Sequence, residues 1–179
     1  MAESFTNSLK RAVGILTTNT AGAVGVQTNK ITGISTVGLA VSSFVDNQHY
    51  IAGTKVSSIG VNEAIADRDS TNTAAASSQN IKFLGVTTCY TSTAGEKAIL
   101  IGGTFANNTT SAVNLTVSIY DASAAVESQI AADIPVPYGS SFVIADTGKT
   151  LLEGLDEIRV YCDTENAIDV NLSILKGVS

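Results

Sequence analysis

The chain has 179 residues, enough for one large domain or two small ones with a real core. Charged residues make up only 15% of it and the net charge is −6, which excludes an electrostatic pull toward phosphate or an anionic membrane. Nucleic acid and membrane are therefore not expected partners. Apolar residues reach 44%, and much of the rest is Thr, Ser, Asn and Gly, material for pleated strands and tight turns rather than solvated helices.

Residues 1–30 read as an N-terminal docking arm. FTNSLKRAVGIL allows a turn or two of helix capped by Thr6 or Asn7, while Gly14, Gly22 and Gly25 oppose anything longer. Phe5, Leu9, Val13 and Ile15 are its candidate docking side chains. The opening MAESFTNSLKRAVG lacks the apolar stretch of a secretory signal, and no apolar run reaches membrane-spanning length. From residue 31 to 84 the pieces KITGIS, VGLAVSSFVD, HYIAGTKVSSIG and EAIADRD form a short-stranded series punctuated by Gly33, Gly38, Gly53 and Gly60. Such a meander is expected to close into a small β-barrel, which removes exposed strand edges. TNTAAASSQN at 71–80 is expected to be its last loop, with IKF as the closing strand.

The second half, 85–179, carries the clearest strands. Val113, Leu115, Val117 and Ile119 alternate with polar neighbours. Ile158, Val160 and Cys162 do the same, as do Val170, Leu172 and Ile174. KAILIGGTFA is apolar on both faces and is expected to be covered on both sides or to end at Gly102–Gly103. Turn chemistry at 93–97, 106–111, 137–141 and 163–167 separates the strands, Gly154 reads as another turn, and Pro135 and Pro137 mark an edge or a connection. The expected fold is thus all-β: an arm and small barrel, then a jelly-roll-like antiparallel β-sandwich.

Catalytic machinery is thin. His49 is the one histidine, so no second imidazole is available for a metal site. Cys89 and Cys162 lie inside strand patterns, where a thiol acts as a small hydrophobe, and two buried thiols are expected over a disulfide. Asp67, Asp69, Asp163, Glu165 and Asp169 read as acids solvating loops, without calcium-loop spacing. The glycine-rich stretches, Lys55 included, lack both phosphate-binding fingerprints. No catalytic residue, cofactor or metal is expected.

Two stretches resemble modules of tailed-bacteriophage, cyanophage-like virion proteins. Residues 31–60 are similar to a small β-barrel module through Ile51, Ala52, Gly53, Thr54, Val56, Ser58 and Ile59, with AVSS in place of the usual glycine-containing turn. Residues 81–179 resemble a β-sandwich module of the same particles. That likeness is carried by Tyr90, Thr91, Leu152, Glu153, Gly154, Ile158, Val160, Ser173, Ile174 and Leu175, together with the MAESF opening. The resemblance implies a structural role in a virion assembled in the bacterial host cytoplasm, as a capsid decoration protein or a head–tail neck component. Its implied partners are major capsid, portal or neck proteins, and further copies of itself. The alternative is a tail-fibre or adhesin subunit that binds a host-surface glycan, with Tyr50 and Tyr138 as candidate recognition aromatics.

Overall fold

A computed structural model describes residues 3–51 and 53–178, and leaves the side chains at 15–20 and 145–149 outside the description. The described chain is all-β and contains no helix. In chain order the strands are β1 (Ser4–Val13), β2 (Ile15–Val24), β3 (Lys30–Thr32), β4 (Phe44–Asp46), β5 (Val56–Gly60), β6 (Glu63–Ala66) and β7 (Ala76–Gly85). They continue with β8 (Thr87–Thr91), β9 (Lys97–Asn107), β10 (Val113–Asp121), β11 (Val126–Val136), β12 (Ser141–Leu152), β13 (Glu157–Cys162) and β14 (Ile168–Val178).

The chain divides into two compact units. One comprises the segment ending at Val13, Thr87–Val160 and the segment from Asn166 onward; the other comprises Gly14–Val86 and Tyr161–Glu165. The break at 86–87 lies close to the boundary expected at 84–85. The contiguous layout expected from the sequence is corrected at two places, because the first strand belongs to the larger unit and residues 161–165 to the smaller.

The larger unit is a sandwich of two four-stranded sheets, ordered β1-β14-β9-β12 and β11-β10-β13-β8. Numbered along this unit alone, the orders become 1-8-3-6 and 5-4-7-2, the pairing of a jelly roll built from two Greek keys. Period-two patterning decides which faces meet. Ile168, Val170, Leu172 and Ile174 of β14 are buried, as are Ile158, Val160 and Cys162 of β13 and Val113, Leu115 and Val117 of β10. Burying each such aliphatic side chain stabilises the sandwich by about 1.5–3 kcal/mol. β9 runs through the Gly102–Gly103 pair rather than ending there, and its outward Ile99 and Ile101 stay partly exposed. β11, which holds Pro135, is an edge strand.

The expected arm is the clearest correction. Ser4–Val13 is a strand paired antiparallel with β14, in the register Phe5↔Leu175 and Leu9↔Asn171. The physical reason is backbone pairing: β14 would otherwise present an edge of unpaired backbone groups, which this segment satisfies as a strand. Val13 is buried at its end and accepts a hydrogen bond from the Ala167 amide at 2.8 Å. Gly14, at φ 106°, follows, a conformation that lets the chain leave one sheet and enter another.

The smaller unit is a six-stranded sheet ordered β4-β7-β2-β3-β6-β5. It curls until its ends nearly meet. The Val45 amide donates to Thr54 O at 2.9 Å, the Val56 amide to Ser43 O at 2.9 Å and the Ser42 amide to Val56 O at 2.8 Å. Inside lie Val24, Ile31, Ile34, Val45, Val56, Ile81 and Phe83. Polar side chains fasten the loops: Ser70 Oγ donates to Gly25 O at 2.8 Å and Asn72 Nδ2 to Val24 O at 3.2 Å. β7 starts at Ala76, inside the stretch expected to be a loop.

Gly154 sits in the expected turn, and space explains its identity. A Cβ there would lie 2.7 Å from the backbone nitrogen of Gly95, an atom that cannot swing aside. Gly154→Ala is therefore expected to lower unfolding stability by about 1–3 kcal/mol in urea titration. An unchanged midpoint would show that the two turns are not packed this closely.

Candidate functional site

The residues that could carry chemistry are each occupied with structure. His49 Nε2 lies 3.1 Å from Gln79 Oε1 and 3.2 Å from Gln48 Nε2, so the ring is held between two amide side chains. Asp67 Oδ1 accepts from the Lys55 amide at 2.9 Å, and Asp169 Oδ1 from the Ala12 amide at 2.8 Å. Glu165 pairs with Lys82 at 2.7 Å. Asp46 stands nearby, and burial, opposed by Lys82, raises its pKa above the usual carboxylate value. Of the acids expected to solvate loops, Asp67 and Asp169 instead fix backbone amides, Glu165 forms an ion pair and Asp163 is buried. Among the described residues no group of three His, Cys, Asp or Glu side chains could hold a metal ion.

Cys89 and Cys162 are both buried thiols. Cys162 Sγ donates to Thr164 O at 2.8 Å. Burial, opposed by the charge of Lys10, pushes the Cys89 thiol up to about 12. A thiol with so little thiolate at neutral pH is not a nucleophile. Alkylation of the native protein at about pH 9, where an ordinary thiol is largely ionised, is expected to leave Cys89 unmodified, with reaction after unfolding. A native-state adduct on Cys89 by mass spectrometry would contradict that.

The candidate recognition aromatics separate. Tyr138 is 68% exposed in the turn between β11 and β12. Tyr50 is not a surface residue; it belongs to the barrel core, its hydroxyl donates to Thr28 O at 3.4 Å, and burial, reinforced by Asp69, pushes its pKa to about 12. The turn after β4, closed by the Tyr50 amide donating to Asn47 O at 3.0 Å, carries Tyr50 into that core. The candidate docking residues separate too. Phe5 is 79% and Leu9 69% exposed, Val13 is buried, and the Ile15 side chain lies outside the described residues.

One polar cluster was not anticipated. Arg159 on β13 donates through Nε to Glu157 at 2.7 Å and through an Nη to Glu127 of β11 at 3.1 Å. Its guanidinium lies 3.7 Å from the ring centroid of Tyr120 on β10. Ser118 donates to Glu127, and Thr88 of β8 donates to Glu157 at 3.2 Å. This network laces all four strands of its sheet and acts as a clasp across them. Alternation does show these residues outward, but which strands become neighbours is absent from the local pattern. Arg159→Met is expected to cost about 1–2 kcal/mol in urea unfolding, with Arg159→Lys recovering only part because it lacks the planar fork. Equal stability of Met and Lys variants would remove the clasp from the account.

No family model and no curated protein matches the chain. Among solved structures, the isomalto-dextranase of Arthrobacter globiformis T6, complexed with panose, aligns over 97% of this chain and 34% of its own, at 13% identity and a TM-score of 0.23. This chain thus spans about a third of that structure, and a score so low carries nothing about fold or function.

Proposed function

We propose that the chain is a non-catalytic structural component of a bacteriophage virion, a capsid decoration protein or a head–tail neck component, working through protein–protein contacts. The observation that carries the reading is the exposure of Phe5 and Leu9 on a rigid jelly-roll edge strand: large apolar side chains held out on an ordered frame are what a neighbouring subunit covers. The resemblance at 31–60 and 81–179 supports the same reading. Its partners are then major capsid, portal or neck proteins together with further copies of the chain, in particles assembled in the host cytoplasm. No nucleic acid, membrane or cofactor enters the role.

A second reading, glycan binding by a fibre or adhesin subunit, draws on Tyr138 alone, since Tyr50 is buried. Purified particles are the test. The chain is expected in them at a stoichiometry set by the capsid lattice for decoration, or at a copy number of a closed ring for the neck. Its absence from particles, with glycan-array binding that Tyr138→Ala abolishes, would replace the first reading by the second.

A further inference from the structure

β1 is held in the sandwich by its backbone far more than by its side chains. It pairs with β14 in the register Thr6↔Ile174, Ser8↔Leu172 and Lys10↔Val170. Directly opposed residues share a face, so Thr6, Ser8 and Lys10 lie on the inward side with the buried Ile174, Leu172 and Val170, yet all three are polar. Val13 is the one buried residue of the strand. Ser8 Oγ adds a hydrogen bond to Cys89 O at 2.7 Å. A strand that buries so little apolar surface detaches at small cost. Its main hold, the ladder, is the same whichever copy of the chain supplies it.

The exit from β1 is tight. The ladder shifts register between Lys10 and Val13, and Ala12 there sits at φ 56°, a left-handed conformation that is costly for a residue with a Cβ. Gly14, at φ 106°, is the single residue between β1 and β2. Two left-handed residues within three make a short connection that stores strain. Connections of this kind favour strand exchange, because a second copy supplies the same strand while the connection straightens.

We infer that β1 passes between copies of the chain, so that Ser4–Val13 of one copy pairs with β14 of another. The strand's own complementarity specifies this occupant. An exchanged β1 remakes the ladder, the seat of Val13 and the Ser8 bond to Cys89 O, and it gives up only the strained connection. The inference rests on the structural-protein reading in naming how its copies join, yet the two fail separately.

The test joins β1 to β14 covalently. Asn7 and Ser173 are exposed cross-strand partners at a separation a disulfide spans, and the native thiols Cys89 and Cys162 are buried. The full chain carrying Asn7→Cys and Ser173→Cys is purified reduced, held at high micromolar concentration, diluted to low micromolar and oxidised at once. Peptide mapping then locates the link between positions 7 and 173. Exchange places that link between two chains, in a share that rises with the concentration before dilution. Each single-cysteine variant measures the background from chance collision. Inserting Gly-Ser-Gly after Gly14 relaxes the connection and is expected to lower the interchain share by about 5-fold or more, with unchanged circular dichroism. Leu9→Cys with Asn171→Cys, the next exposed pair in the register, repeats the measurement should the first pair disturb the fold.

A link found only within single chains, at every starting concentration, overturns the inference. So does an interchain share that the insertion leaves unchanged, since the strained connection is then not its cause. Interchain links in solution, with the chain absent from particles, keep the inference and remove the virion reading. Particles that hold the chain with intrachain links alone remove the inference and keep that reading.

Discussion

The pairing of β1 with β14 is the contact on which the architecture hangs. It joins the two ends of the described chain, and β14 is flanked by β1 on one side and β9 on the other. The inward stripe of β14, from Ile168 to Ile174, is fully buried and forms the floor of the sandwich. Withdrawing β1 would leave backbone groups of β14 between Ile168 and Lys176 without partners, each a hydrogen-bonding group that folding must satisfy.

The sandwich distributes its polar groups to match. One outer face is clasped by Arg159 between two carboxylates and a tyrosine ring, so its charges are consumed internally. On the opposite outer face Phe5, Leu175, Ile99 and Leu151 lie side by side across four strands.

Much of the sandwich was legible because its strands bury one face. Wherever one face is buried, a one-residue slip would expose every apolar side chain, so alternation in AVNLTVSIY, EIRVYC and DVNLSIL states both the element and its orientation. β1 was misread for the complementary reason. Phe5 and Leu9 point to solvent, so the segment shows no core-facing stripe, and its Thr, Asn and Ser suit a capped helix equally well. The barrel strands β3 and β4 are only three residues long, too short for periodicity to fix their limits. The candidate site divided along the same line. Exposure of Tyr138 follows from a proline–glycine turn, whereas burial of Tyr50 depends on how a loop closes over the barrel core. The Arg159 clasp needed the strand order, which is long-range information.

The chain's first strand is completed by its last. During synthesis β1 emerges while its partner is still about 155 residues from being made, an interval of roughly 8–30 s at ribosomal rates. Through that interval Phe5 and Leu9 travel unshielded beside an unpaired strand edge, while the barrel segment can already collapse locally between them and the rest of the jelly roll. The protein is therefore most exposed to misassociation before translation ends.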